Sequence, residues 1–191
     1  MIDNVARWRE DHRNFTRLLD FLEAQIELIH KVEATNFELM VDVLHYLTQY
    51  SDLFHHPKED LIFAKLKQRD ARTGAVIDDL AREHVTLRRQ GEKLLGNVEG
   101  IVNGDVVLTR DAVEADGRDY IEMLRRHMQR EEAELFVAAA TILSDRDWAA
   151  INAGLPDPDD PLFGSAVKSH YRALHRQLAR DVASQARAPH G

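Results

Sequence analysis

The two halves of the chain repeat one another at an offset of 72 residues, and this repeat constrains the fold more than any other feature of the sequence. Each half carries an acidic residue followed by histidine and then, 43 residues after that histidine, a His-x-x-x-Glu motif. Apolar residues coincide at the same offset, for example Leu22 with Leu94 and Ile26 with Val98. Two copies of one helical hairpin, related by an approximate two-fold axis, would direct both motifs at a shared centre. The coincident pairs with imidazole or carboxylate groups are Asp11/Glu83, His12/His84, His55/His127, Glu59/Glu131 and Asp60/Glu132.

Apolar residues recur with the period of an α-helix along almost the whole chain, and no segment alternates in the manner of a strand. Thr109 precedes the fourth helical segment as a predicted N-cap. Four long helices joined by short turns predict an all-α, up-down-up-down four-helix bundle over residues 1–143, whose interior is a natural place for a metal or cofactor. The predicted helices are 3–33, 36–69 with a bend near Pro57, 76–102 and 110–143.

Residues 144–191 are predicted to extend the bundle. The sequence SDRD at 144–147 resembles a capping box and predicts a short helix over 145–153. An acidic, proline-rich linker, PDPDDP at 156–161, precedes a last predicted helix at 165–186. The apolar stripe of that helix predicts packing against the bundle or against a second subunit, as in a homodimer.

Composition excludes several classes of function. The chain of 191 residues has no cysteine, so disulfides, thiolate metal sites and cysteine nucleophiles are excluded. The net charge of −8 opposes attraction to a polyphosphate backbone, and nucleic acid is not an expected partner. No apolar run has the length of a membrane span, so we expect no membrane partner and a soluble, cytoplasmic protein.

The spacing of the two motifs predicts a metal site. Residues four apart in an α-helix lie about 40° apart around the axis and about 6 Å apart along it, so the histidine and glutamate of each motif share one face. The two remaining helices supply one histidine each. Imidazole and carboxylate without thiolate suit iron, manganese or zinc, and two carboxylates are well suited to bridge a metal pair. The candidate ligands are His12, His55, Glu59, His84, His127 and Glu131.

A single His-x-x-x-Glu motif would usually be a solvated pair on a helix surface, so the prediction depends on the joint pattern. A ferritin-like carboxylate site needs two Glu-x-x-His motifs, and Glu27 with His30 is the single match. Zinc-protease, nucleotide-binding and serine-hydrolase motifs are absent from the sequence, and no catalytic residue is singled out. His30 and His45 have no partner at the repeat offset and are interpreted as structural.

Pro57 lies inside the second predicted helix, where it removes one backbone hydrogen bond and clashes with the preceding turn. A kink there would re-aim His55 and His56 relative to Glu59 and help side chains converge. The alternative is that the helix bends around the core without any role at the site. The sequence favours neither interpretation.

His12, HHPKE at 55–59, EH at 83–84 and HMQRE at 127–131 together resemble the hemerythrin-like family, also called the HHE cation-binding domain. The resemblance covers about residues 3 to 143. It implies a four-helix bundle that holds two iron ions with an oxo or hydroxo bridge, with manganese or zinc as alternatives. The implied ligands are the four repeated histidines and the two motif glutamates, and His56 is an extra ligand in this interpretation.

The sequence departs from oxygen-carrying hemerythrins at two positions. Those proteins carry a second histidine four residues after the third-helix histidine, where this chain has Arg88. Their fourth-helix carboxylate lies five residues after its histidine, which leaves Glu131 and Glu132 as alternatives here. Both departures favour binding or sensing of oxygen, peroxide or nitric oxide, or iron handling, over simple oxygen carriage. An oxidoreductase acting on peroxide or oxygen and a metal-dependent signalling module are the competing hypotheses.

Overall fold

A computed structural model describes residues 4–105, 107–154 and 159–185. These residues form helices and connecting turns without any strand, which confirms the predicted all-α bundle. The up-down-up-down order of the four long helices stays a prediction. The α-helices are α1 (Asn4–His30), α2 (Phe37–Tyr50), α3 (His56–Arg69), α4 (Gly74–Asn103), α5 (Arg110–Arg130), α6 (Val137–Ile142), α7 (Asp145–Gly154) and α8 (Arg172–Gln185).

Two of the long predicted helices are each interrupted by a π-helical segment. The segment π1 (Ser51–His55) joins α2 to α3, and the segment π2 (Glu131–Phe136) joins α5 to α6. The backbone stays helical through both junctions, so α2–π1–α3 and α5–π2–α6 each form one continuous helical rod with an irregular centre. With α1 and α4 they make the four rods of the bundle. In π1 the irregularity begins six residues before Pro57, not at the proline itself.

Side-chain caps are present at the beginning of α5 and of α7, where the sequence predicts them. The Thr109 hydroxyl accepts a hydrogen bond from the Ala112 amide at 3.3 Å, and this confirms the predicted N-cap of α5. Ser144 and Asp147 exchange side-chain-to-backbone bonds at 3.3 and 3.1 Å, which confirms the capping box of α7. Gly104 ends α4 with a positive φ of 75°, a conformation that glycine adopts without steric cost.

The predicted start of the last helix at residue 165 is wrong, because α8 begins at Arg172 after a 3₁₀ turn at Ser169–Tyr171. Two carboxylates hold the preceding residues in a loop instead. Asp160 accepts bonds from the Leu162 and Phe163 amides, and Asp159 accepts one from Ser165. Residues 156–158 of the predicted linker, and residue 186 at the end of the predicted helix, lie outside the described residues.

The four rods pack in a closed ring, with α1 against α2 and α5, and α4 against α2 and α5. Glycines allow two of these approaches. A Cβ atom on Gly117 of α5 would lie 2.4 Å from Ile26 Cδ1 of α1, and one on Gly91 of α4 would lie 2.9 Å from Thr48 Cγ2 of α2. No helix among the described residues is long and apolar enough to cross a membrane.

The buried apolar side chains form two separate clusters. The larger cluster includes Phe15, Leu87 and Leu124, together with Leu174 and Leu178 of α8, which packs on α2. The division of the chain at residue 143 stays a prediction. The smaller cluster lies toward the other end of the rods and contains Val5, Trp8, Ile62, Phe63, Leu66, Ile77, Leu80, Leu135, Phe136, Ala139, Leu143 and Ile151.

Candidate metal centre

All seven predicted site residues lie in one buried polar cluster between the two apolar clusters. Their exposed fractions range from 0% for Glu131 to 6% for His84. Along each rod, the site residues lie between residues of the larger apolar cluster and residues of the smaller one. His84, for example, lies one helical turn from Leu80 of the smaller cluster and one turn from Leu87 of the larger. The fold therefore brings the repeated motifs together at the centre of the bundle.

Each motif glutamate touches three imidazoles. The Glu59 carboxylate lies 3.0 Å from Nε2 of His55, 3.3 Å from Nε2 of His84 and 3.5 Å from Nε2 of His12. His12 and His84 are shared between the two carboxylates, as an approximate two-fold relation predicts. The Nε2–carboxylate distances at Glu131 are 3.2 Å for His127, 3.4 Å for His12 and 3.5 Å for His84.

The inward-facing atoms of this cluster lack hydrogen-bond partners. Among the described residues, seven buried side-chain nitrogen or oxygen atoms have none, and six of them belong to this cluster. Buried polar atoms without partners are rare in folded proteins and call for an explanation such as an ion. The six atoms are Nε2 of His12, His84 and His127, Oε2 of Glu59, and both carboxylate oxygens of Glu131.

The spacing of these atoms fits a bound cation. Nitrogen and oxygen ligands lie about 2.0–2.2 Å from a metal such as zinc, so two ligands at about 90–110° are about 2.8–3.6 Å apart. The Nε2–carboxylate distances of 3.0–3.5 Å fall in that range. Two groups of ligand atoms lie within 4.8 Å of one another and share Glu59: His12, His55 and Glu59 form one, and His56, Glu59, His84 and His127 form the other.

An outer layer of carboxylates orients the imidazoles. Because a carboxylate only accepts hydrogen bonds, each Nδ1–H donates and the opposite nitrogen, Nε2, is left for the centre. The four principal pairs follow the sequence repeat. Adding 72 to both members of His55/Asp11 gives His127/Glu83, and exchanging each member of His12/Glu132 for its equivalent in the other half of the repeat gives His84/Asp60. The four pairs are His55 with Asp11 at 3.0 Å, His127 with Glu83 at 2.9 Å, His84 with Asp60 at 3.2 Å and His12 with Glu132 at 3.0 Å.

This layer separates the alternatives Glu131 and Glu132 by position. Glu131 has no exposed surface and faces the imidazoles, whereas the Glu132 side chain is 45% exposed and accepts from His12 on the outer side. Asp11 and Glu83 likewise accept hydrogen bonds from histidines of neighbouring rods, His55 and His127.

His56 differs from the other site histidines because its Nε2 lies against a hydroxyl group and not against a motif glutamate. Its Nδ1–H donates to Asp52 at 3.0 Å, and its Nε2 lies 3.0 Å from the Ser51 hydroxyl. The ring stacks on His84 with centroids 4.2 Å apart. Asp52 also lies 3.4 Å from the Arg88 guanidinium. Arg88, which stands where oxygen-carrying hemerythrins have a histidine, therefore supports His56 indirectly through Asp52.

The two π-helical segments adjoin the site residues. In a regular α-helix adjacent residues point about 100° apart, yet both His55 and His56 are buried. The π1 segment ends at His55, and the His56 amide bonds back five residues to Ser51. The π2 segment begins at Glu131 and contains no proline. Since both rods carry an irregular turn at the centre, Pro57 alone does not account for it, and π-helical turns of this kind are frequent at functional sites.

Burial and the neighbouring charged groups act in opposite directions on the pKa values of the site residues. Burial lowers the pKa of His55, but Glu59 and Asp11 outweigh it and raise that pKa to about 9. Burial also lowers the pKa of His84. Three neighbouring carboxylates outweigh this effect and raise the pKa to about 12: Asp60, Glu131 and Glu59. Burial dominates at His56 and lowers its pKa to about 4. The pKa of the Glu59 carboxyl is well below its usual value, because the neighbouring imidazoles outweigh the effect of its burial.

The sequence did not indicate one residue of the site, Trp8. Its indole Nε1–H donates a hydrogen bond to Glu59 Oε1, and its ring packs against Phe136 with centroids 3.8 Å apart and the ring planes tilted by 35°. The available signal was its position four residues before His12, which places both side chains on one face of α1.

A helical bundle that encloses a cage of imidazoles and carboxylates, with unpartnered atoms facing inward, defines a cation-binding helical domain. The family model described as the hemerythrin HHE cation binding domain matches residues 3–139, and the chain belongs to that family. No curated protein and no solved structure matches the chain.

Proposed function

We propose that this domain holds two iron ions and that the pair binds or senses a small ligand such as oxygen, peroxide or nitric oxide. The observation that carries the proposal is the pair of ligand groups that share Glu59, because one shared carboxylate between two groups suits two adjacent cations. The proposed ligands are the six unpartnered or inward-facing side chains, with His56 as a seventh: His12, His55, Glu59, His84, His127 and Glu131.

The chemistry of the ligand set favours iron. A structural zinc site is usually closed by four ligands per ion, whereas the six or seven ligands of this cage, divided over two cations, would leave coordination positions open. These ligand types without thiolate suit iron, and manganese is the alternative that the test below distinguishes. When bound, ferrous iron supplies an electron and an open coordination position for a small ligand.

The protein's own residues would control that chemistry in three ways. The outer carboxylates fix the imidazole tautomers and raise the basicity of Nε2. The two apolar clusters cover both ends of the cage and limit the access of water. Arg88, where oxygen carriers have a further histidine, supplies no ligand nitrogen and leaves one group with fewer permanent ligands.

Metal analysis combined with an electronic spectrum tests the proposal. Protein reconstituted with ferrous iron and exposed to air is expected to contain two iron ions per chain and to show charge-transfer bands of an oxo-bridged pair. The variant His127→Ala is expected to lose at least one iron and these bands. The control His30→Ala, an exposed histidine paired with Glu114, should keep both. Metal-poor, colourless parent protein, or a preference for manganese over iron in competition, would contradict the proposal.

A sensing role has a structural observation in its favour. Helix α8 packs on α2, which continues into the π1 segment that carries His55. At this contact the His45 Nδ1 lies 2.9 Å from the Tyr171 hydroxyl. A ligand-dependent change in protease protection of residues 159–185 without turnover would support a sensor. Steady consumption of peroxide or oxygen with a reductant would support an oxidoreductase instead.

A further inference from the structure

Trp8 is the one described residue that donates a side-chain hydrogen bond to a motif glutamate from outside the imidazole cage. Its side chain is 5% exposed and packs in the smaller apolar cluster beside Phe136 and Phe63. The indole nitrogen can only donate, so its partner must be an acceptor, and it lies against Oε1 of Glu59. The donor-only indole nitrogen fixes the direction of this hydrogen bond, and the packing of the ring fixes its position.

This hydrogen bond breaks the symmetry of the site. The residue that corresponds to Trp8 in the second half of the repeat is Leu80, which has no donor. Both oxygens of Glu131 accordingly lack hydrogen-bond partners, whereas at Glu59 only Oε2 lacks one. Two carboxylates that the sequence repeat makes equivalent are therefore held in different ways.

We propose that Trp8 is a positioning residue that fixes the shared carboxylate, Glu59, and leaves Glu131 as the carboxylate that adjusts when a ligand binds. The inference rests on the proposed function, since it concerns how the same centre holds its cations. A hydrogen bond from indole to an ionised carboxylate is charge-assisted and restrains both the rotation and the position of the carboxylate. The indole is buried and packs closely against Phe136, which limits its movement toward a displaced partner. Among the described residues no donor from outside the imidazole cage bonds to Glu131, whose two oxygens contact imidazoles alone at 3.2–3.5 Å.

The substitution Trp8→Phe tests the inference, because it keeps an aromatic ring in the cluster and removes the donor. The matched control is Trp148→Phe, since Trp148 packs partly buried against the same cluster but belongs to α7, outside the four rods that carry the site. Removal of an outer partner of a metal ligand typically weakens metal affinity about 10- to 100-fold. Titration with Co²⁺, followed by its visible absorption, is expected to show two equivalents in all three proteins. In Trp8→Phe alone, one binding step should weaken at least about tenfold and the absorption bands should change.

A second measurement uses the unchanged chain and so does not depend on the folding of a variant. The protein has two tryptophans and therefore two indole N–H signals in a ¹H–¹⁵N spectrum. One signal is expected to exchange slowly with solvent and to shift when Zn²⁺ is added, while the other does not shift. The slow signal should be missing from the spectrum of Trp8→Phe.

The outcomes distinguish this inference from the proposed function. If the parent chain binds no Co²⁺ or Zn²⁺, the proposed function fails and the inference fails with it. If the parent binds two equivalents and Trp8→Phe has the same affinities and absorption bands, the inference alone is overturned. Two indole signals that both exchange rapidly with solvent would overturn it as well.

Discussion

At the scale of single residues, the site depends on carboxylates that never face the centre. Each of the repeated histidines donates through Nδ1 to an acidic residue on another rod, so Nε2 is directed inward before any cation binds. Such pairs reduce the rearrangement that metal binding requires and make the imidazole a stronger ligand. The acids at these positions are therefore expected to matter almost as much as the ligands.

The substitution Glu83→Gln should weaken metal binding about 10- to 100-fold while the chain still folds. Glu83 accepts from His127 Nδ1 at 2.9 Å, and a neutral amide is a weaker acceptor that can also present its NH₂ group. The control Glu92→Gln changes an exposed carboxylate on the same helix and should leave the affinity unchanged. Competition with a chelator of known affinity measures both variants. Equal affinities for the two variants would show that the outer carboxylate does not act on the ligand.

The metal-free protein should become less stable as the pH rises. The folded-state pKa of His55 is about 9, above its ordinary value of 6.5, because Glu59 and Asp11 outweigh burial. Protonated His55 therefore contributes stability that is fully present below about pH 6.5 and is lost as the pH rises through 9. The loss from this residue is on the order of 3 kcal/mol. Urea unfolding with chelator at pH 6.5 and 9 measures it, with His55→Asn as the reference. A parent chain with the same pH dependence as His55→Asn would contradict the assignment.

At the scale of helices, the bundle combines close packing with irregular turns. Gly117 and Gly91 allow neighbouring rods to approach closely, which holds the rods at a defined separation on both sides of the ring. The π-helical segments adjoin the site on the second and fourth rods, where side chains must converge. Packing therefore fixes the frame, and the π-helical turns adjust the directions of a few side chains within it.

The substitution Gly117→Ala is expected to destabilise the fold by about 1–3 kcal/mol. Its Cβ would lie 2.4 Å from Cδ1 and 3.0 Å from Cγ1 of Ile26, which is fully buried and has little room to move. Gly96→Ala is the matched control, since no atom lies within 4 Å of its Cβ, and it should stabilise α4 by about 0.5–1 kcal/mol. Thermal unfolding of both variants checks the prediction. A stabilising effect of both substitutions would mean that α1 and α5 are not tightly packed at this point.

The sequence predicts the members of the site better than their detailed arrangement. His55 and Glu59 are recognisable because a spacing of four is a helical turn and because the pair recurs at 127 and 131. The π-helical turns and the start of α8 are not recognisable, since they depend on tertiary contacts such as the Asp160 carboxylate with the Leu162 amide. Trp8 was missed for a related reason, because its counterpart at the repeat offset is Leu80, so the repeat does not mark it, and the packing of two rods brings it to Glu59.

At the scale of the whole molecule, the C-terminal segment is joined to the bundle at a distance from the polar centre. Helix α8 adds Leu174 and Leu178 to the larger apolar cluster. Tyr46 is fully buried, and its hydroxyl donates to Asp160 at 2.7 Å. These contacts, like the hydrogen bond between His45 and Tyr171 described above, include none of the proposed ligands. The stability of this junction and the binding of metal should therefore be separable.

The substitution Tyr46→Phe tests that separation. It removes a buried hydrogen bond to a carboxylate and is expected to lower the free energy of unfolding by about 1.5–3 kcal/mol. Metal stoichiometry and affinity should stay unchanged, because the hydroxyl points to Asp160 and not to the cage. Chemical unfolding and metal titration of the same preparation provide both readings. A loss of metal together with stability would show that the junction and the centre act as one unit.

The central claim is that a pair of cations lies inside the cage formed by the repeated histidines and glutamates. The most direct measurement is anomalous X-ray diffraction from crystals of the iron-loaded protein, collected on both sides of the iron absorption edge. We expect two iron peaks within bonding distance of Nε2 of His12, His55, His84 and His127, with Glu59 touching both. Iron peaks elsewhere on the molecule, a single peak, or none inside the cage would contradict the claim.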